Sequence, residues 1–277
     1  MSKDASLRDA LRVPTGPIST AGFDAGGRPL APSAKKMAQH LEEMADLQER
    51  FWAESTGGGG RSVLLVLQGM DTAGKGGVVT HAVGVFGPIG IEYTAFKKPT
   101  KEELEHDFLW RIRKRLPRPG MIGVFDRSHY EDVLVVRVHG LVPQAEWEAR
   151  YDAINAFEQE LTDGGTTVLK VFLNVSYDTQ RERLLRRLDE PEKHWKFNEG
   201  DILERARWDD YQAAYGSVLE RCSTDAAPWY VVPADHKTYR NWAVAELLRE
   251  TLTELDPHYP QPDLDVASLR ERLAPPH

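Results

Sequence analysis

Apolar and polar positions alternate along this chain in two rhythms. From Ser33 onward Met37, Leu41, Met44, Leu47 and Phe51 or Trp52 recur every three or four residues, the spacing of one buried helix face. Ser33 stands at the N-cap and "TGGGG" at 56–60 supplies the stop. The rhythm then changes. "SVLLVL" (62–67) is an unbroken apolar run, as a parallel strand shows when both of its faces are covered. Further runs of the same kind are "IEYTAF" (91–96), "MIGVF" (121–125), "TVLKVFLNV" (167–175) and "WYVVP" (229–233). Between them the spacing predicts helices over 100–116, with Thr100 and Glu103 as a capping box, over 130–139 and 144–162, through a charged region from 177 to about 220, and over 236–254.

Five strands alternating with helices predict an α/β fold: a doubly wound, mostly parallel five-stranded sheet in an α/β/α sandwich. Residues 1–32, rich in Gly, Pro and small polar residues, read as an extended arm over the domain or a neighbouring subunit. Residues 33–255 form the domain, and 256–277 a Pro-rich tail. A length of 277 residues suits this single large domain. The net charge of -8 argues against a nonspecific nucleic-acid binder, which needs a basic excess to release counterions. One cysteine, Cys222, excludes an internal disulfide, and no apolar run approaches membrane-spanning length, so a cytoplasmic protein with no membrane or nucleic-acid partner is expected.

The chemistry concentrates after the first strand, in "LLVLQGMDTAGKGG" (64–77). Gly69, four residues, Gly74 and Lys75 stand as in a phosphate-binding P-loop. A lysine at a helix start faces the positive end of the dipole unless an anion sits there. The backbone N–H groups of Thr72, Ala73, Gly74 and Gly76 would cradle that anion. The residue after Lys75, normally a Ser or Thr whose hydroxyl holds the metal of a bound triphosphate, is Gly76, followed by Gly77. Asp71 lies inside the loop, where phosphate repels a carboxylate unless a divalent cation lies between them, so Asp71 is assigned the metal role. The paired glycines suggest close ligand approach to the backbone. "VFDRSHYEDVL" (124–134) puts Asp126 at the carboxyl end of a buried strand, the Walker-B position for a second metal-binding carboxylate, with Arg127 next. His129 and Tyr130 read as packing groups. No other His or Cys cluster has ligand spacing, so oxygen-held Mg²⁺, with Mn²⁺ as a substitute, is the expected ion.

Two basic stretches stand out. Lys97, Lys98, Lys101, Arg111, Arg113, Lys114, Arg115 and Arg118 partly complement a helix dipole; Lys97, Lys98 and Arg111 are candidates for lining a polyanion channel, with a solvated face as the equal alternative. In "RERLLRRLDEPEKHWK" (181–196) Pro191 breaks a helix among Arg186, Arg187, Lys193 and Lys196, the form of a hinged basic lid over about 181–200. Its bland counterpart is an exposed helix with partnered charges.

"GMDTAGKGG", "KKPTKEELEHDFLWRI", "FDRSHYEDVLVVRVH" and "DEPEKHWKFNEGDILERARWDDY" together resemble, in matching order over roughly residues 35–255, the type-2 polyphosphate kinase family. The resemblance implies a P-loop kinase fold that moves phosphate between inorganic polyphosphate and ADP, AMP or ATP with Mg²⁺, assembled as a homo-oligomer, dimer or tetramer; guanine nucleotides stay open as partners. It places Asp71, Lys75, Asp126 and Arg127 on catalytic positions and Arg187 on a lid arginine. Many members carry Trp at the His129 position and an uncharged residue at Glu131, so this chain resembles the subgroup accepting both AMP and ADP. Two other classes compete. An ATP-dependent nucleoside or nucleoside monophosphate kinase would keep Ser or Thr after Lys75. A noncatalytic nucleotide-binding protein has no need of the carboxylates and arginines.

Overall fold

A computed structural model describes residues 6–274. Strands β1 (Ser62–Gln68), β2 (Ile91–Ala95), β3 (Ile122–Asp126), β4 (Thr166–Asn174) and β5 (Trp229–Pro233) form one sheet in the order β2-β3-β1-β4-β5, every pair parallel. β1 is buried along its whole length, which is why its apolar run is unbroken. The chain leaves β1 toward one edge and β4 toward the other, so a crevice opens at their carboxyl ends.

Helices cover both faces. α1 (Leu7–Leu11), α2 (Ala34–Thr56), α3 (Lys75–His81) and α11 (Lys237–Leu255) share one side; α6 (Val135–Val138), α7 (Gln144–Asp163) and α10 (Trp208–Arg221) share the other. Ser33 caps α2 by accepting the Lys36 N–H, as its position predicts. The arm lies along its own domain: Val13 N–H donates to the Trp229 carbonyl, and Glu250 of α11 accepts the Leu7 and Arg8 N–H groups.

Two predicted helices are shorter than their spacing suggests. The 100–116 segment splits into α4 (Lys101–Leu104), with its capping box, and α5 (Trp110–Arg113). The Asp107 carboxylate accepts the Leu109 N–H and its carbonyl the Trp110 N–H, so Asp107 ends one turn and starts the next. The 130–139 segment is a 3₁₀ turn (His129–Asp132) followed by α6. The charged region contains α8 (Tyr177–Asp189), a 3₁₀ segment Pro191–Lys196, α9 (Gly200–Ala206) and α10; Pro191 breaks the helix where expected. In the tail, α12 (Val266–Leu273) is exposed along its length.

Candidate active site

The loop between β1 and α3 turns on three left-handed residues, Gly69 (φ 155°), Thr72 (φ 62°) and Gly74 (φ 108°). Its carbonyls are held from outside. Arg183 of α8 donates to Thr72 O at 2.8 Å and Ala73 O at 3.3 Å, and to Ala234 O and Asp235 O beyond; Arg240 of α11, 3% exposed, donates to Ala73 O at 3.1 Å. Gln180 donates to Asp71 O. A trans peptide sets C=O and N–H on opposite sides, so the Gly74 N–H points away from the Arg240 guanidinium that holds Ala73 O. Val78 N–H makes the first bond inside α3, to Gly74 O. Of the N–H groups expected to cradle an anion, that of Ala73 is taken, donating to Met70 O at 3.1 Å because the loop closes a tight turn there, while those of Gly74, Lys75 and Gly76 stay open.

The glycines divide by role. A Cβ on Gly74 would stand 1.8 Å from the Arg240 guanidinium and one on Gly77 2.6 Å from it, so both make room for Arg240, not for a ligand as the sequence suggests for Gly77. A Cβ on Gly76 would meet nothing within 4 Å, so no neighbour in the protein requires glycine at this cleft-lining position. Lys75 Nζ donates to Gly69 O at 2.7 Å. Burial, and then Arg127, lowers the Lys75 pKa, while Asp71, Asp126 and Glu131 act in the opposite sense.

Asp126 is the last residue of β3, aligned between Leu67 and Ala95, and accepts a long bond from Tyr93 OH at 3.4 Å. Arg127 follows in the left-handed region at φ 63°. It donates to Asp71 at 3.1 Å and lies 3.9 Å from Glu131. Glu131 and Asp71 raise the Arg127 pKa against burial, so it is a permanent cation. Burial raises the Glu131 pKa against Arg127 and Lys75. Asp71, which Arg127 holds, lines two neighbouring spaces. One, about 810 Å³, is lined by the loop, Asp126, Arg187, Lys193, Lys196 and Lys237. The other, about 170 Å³, lies between Asp71, Arg127, Glu131, Glu204, Tyr211 and Tyr215.

Asp71 and Asp126 face the same cleft, and among the described residues no group of three His, Cys, Asp or Glu gathers to hold a metal. Two carboxylates suit a hard cation such as Mg²⁺, which keeps several waters and takes phosphate oxygens for the rest, so the donor set fits. Arg187 donates to Lys196 O and Asp201, both at 2.9 Å, fastening the end of α8 to the segment that follows it. Trp195 is 78% exposed at the same cleft.

The sequence model of the family described as Polyphosphate kinase 2 matches residues 31–260. The chain belongs to the polyphosphate kinase 2 family. An AMP/ADP-polyphosphate phosphotransferase of Meiothermus ruber is 47% identical over 89% of this chain and 90% of its own. An ADP-polyphosphate phosphotransferase of Rhodopseudomonas palustris is 43% identical over 80% and 79%. A crystal structure of Polyphosphate Kinase 2 from Arthrobacter aurescens TC1 superposes with a TM-score of 0.93 at 50% identity, covering 99% of this chain and 98% of that one. The protein is thus a kinase of polyphosphate-driven phosphotransfer on an α/β fold, a chemistry that uses a divalent cation. Among the described residues no helix is long and apolar enough to cross a membrane.

For this polyphosphate kinase 2 the cleft gathers Asp71, Lys75, Asp126, Arg187, Lys193 and Lys196 as the sequence expects, while Arg127 and Glu131 line the smaller pocket that shares Asp71 with it. Arg111 lies elsewhere. It is 7% exposed, donates to Lys97 O at 2.8 Å, stands 3.6 Å from Glu103 and 3.9 Å from Asp132, and covers the Phe96 ring. Two acids and a ring draw it inward, so it braces the 97–113 hairpin against the 129–132 turn. Lys97 and Lys98 are exposed after β2, outside the cleft lining. The cleft's remaining cations, Arg183, Lys237 and Arg240, escape the sequence reading. Arg183 precedes Arg187 by one helical turn and could have been found from that spacing. Lys237 and Arg240 carry no local signal. Burial and the crowding of Arg186, Arg183, Lys193 and Arg240 lower the Lys237 pKa, a like-charge cluster that an anion would relieve.

Proposed function

We propose that the protein transfers the terminal phosphoryl group of inorganic polyphosphate to ADP and AMP, reversibly, with Mg²⁺ held by Asp71 and Asp126. The observation that carries this reading is the meeting of a long basic cleft and a small acid-rimmed pocket at the Asp71–Arg127 pair. A polyanion fits the first along Arg186, Lys193, Lys196 and Lys237, and an acceptor phosphate reaches the junction from the second. The names of the relatives, which include both AMP and ADP, support the acceptors.

In this mechanism Lys75 exchanges Gly69 O for an oxygen of the transferring group, while the loop N–H groups hold the donor chain in line. Arg127, fixed by Asp71 and Glu131, faces the charge that spreads over the equatorial oxygens; Arg187 arrives from the 181–200 segment, which we take as a lid. A divalent cation held by Asp71 and Asp126 would supply further positive charge to the transferring phosphate. The acceptor oxygen is already ionised at neutral pH, so no general base is required. Gly76 finds its reason here, since a donor chain gripped by backbone and lysine needs no hydroxyl ligand. We further propose a cytoplasmic homo-oligomer, tested by light scattering of the purified protein. The central test incubates the protein with Mg²⁺ and each nucleotide, with and without polyphosphate, and separates the products by chromatography. ATP-driven phosphorylation of a nucleoside or of dTMP, with nothing from polyphosphate, would overturn the reading.

A further inference from the structure

Behind the Asp126–Arg127 corner lies a buried charged cluster that the transfer chemistry does not use. Lys170, in the middle of β4 and 0% exposed, donates to Glu158 at 2.5 Å, Cys222 O at 2.6 Å and Tyr130 OH at 2.9 Å, so all three ammonium protons are bound. Glu158 of α7, 1% exposed, also accepts from Tyr130 OH at 2.8 Å and faces His129 Nε2 at 3.2 Å. The cluster thereby joins β4, α7 and the end of α10 to the residues two and three places after Arg127. Stability does not explain it, because a buried ion pair is generally no better than apolar packing of the same volume.

Geometry offers another reason. Arg127 holds a left-handed backbone, which an L-residue keeps only where its surroundings over-determine it. On its upstream side Asp126 is fixed in the sheet and the Arg127 N–H donates to Leu67 O. On its downstream side Ser128 is buried, its hydroxyl accepting from Gln68 and from the Tyr130 N–H, and then His129 and Tyr130 both end on Glu158. We propose that Lys170 and Glu158 are positioning residues: a buried anchor that holds the 128–130 segment and so keeps the Arg127 guanidinium aimed at the junction of cleft and pocket. This inference rests on the role given to Arg127 above.

The test is the double variant Glu158→Gln/Lys170→Met, which removes both charges at nearly constant volume, made in the wild-type chain and in an Arg127→Ala background. In the folded wild-type background, judged by cooperative thermal unfolding, kcat should fall about 10²-fold, the scale of a misplaced catalytic group, with KM for polyphosphate and ADP within about two-fold. In the Arg127→Ala background the same pair should cost less than about three-fold more, because the group it aims is already gone. A folded double variant with wild-type kcat, a loss confined to KM, or an equal loss in both backgrounds overturns the anchor. If the double variant does not fold, Tyr130→Phe decides. It removes the hydroxyl bound to both charges and keeps the ring, and an unchanged kcat, or a loss that persists in the Arg127→Ala background, refutes the proposal. Wild-type turnover in Arg127→Ala alone would instead sink the role of Arg127 itself.

Discussion

Three glycines of one loop should respond in opposite ways to the same added methyl group. Gly74→Ala puts Cβ 1.8 Å from the Arg240 guanidinium in a residue at φ 108°. The left-handed backbone costs about 1–2 kcal/mol, and displacing Arg240 loses its charge-assisted bond to Ala73 O, about another 1.5–3 kcal/mol. Gly76→Ala meets nothing within 4 Å and replaces glycine in the first turn of α3, a gain of up to about 1 kcal/mol. Gly77→Ala lies between them: the same helical gain is set against a 2.6 Å approach to Nη2, the far end of a side chain that can shift, so the two offset to within about 1 kcal/mol. For a chain of this length 1 kcal/mol corresponds to about 2 °C in Tm. Thermal unfolding should therefore rank Gly76→Ala at or above wild type, Gly77→Ala near it and Gly74→Ala several degrees below. Kinetics should invert the favourable case: with the bare backbone at position 76 covered, KM for polyphosphate rises in Gly76→Ala although the fold is as stable as before. A Gly74→Ala protein as stable as wild type would refute the argument that Arg240 occupies the glycine's missing side chain. An unchanged polyphosphate KM in Gly76→Ala would refute close ligand approach at that position.

Other outcomes are as direct. Asp71→Asn, Asp126→Asn and Lys75→Ala should each lower turnover by orders of magnitude while circular dichroism stays unchanged; wild-type-like rates in both aspartate variants would remove the metal assignment. Arg187→Ala should depress kcat with little change in Tm, whereas Arg183→Ala should lower both, because its guanidinium holds four carbonyls between the loop and β5. The fitting control for Arg187 is therefore Arg181→Ala, which is exposed, and equal kinetic effects of the Arg181 and Arg187 variants would leave the 181–200 segment a solvated helix. Glu131→Asn should reduce kcat/KM for AMP more than for ADP, by about 1–3 kcal/mol of discrimination measured as the ratio of the two with polyphosphate as donor; an unchanged ratio takes Glu131 out of acceptor selection.

By itself the sequence determines the five strands within a residue or two of their ends, the loop glycines, the Ser33 and Thr100 caps and the break at Pro191. Each of these depends on neighbours a few positions away: an apolar run needs only its own length, a cap only the next turn, a left-handed corner only its glycine. Tertiary structure alone decides where the long cations go. Arg111 and Arg187 look alike in a basic stretch, yet one is drawn inward by Glu103 and Asp132 and the other lines the cleft. Arg240, which explains Gly74 and Gly77, comes from a helix more than 150 residues later. Lys170 reads as a polar interruption in an apolar strand until the fold brings Glu158, Tyr130 and Cys222 O to its ammonium group. A flexible charged side chain settles wherever opposite charge and carbonyl oxygens replace its water, and those partners are set by how the elements stack, which no local pattern records.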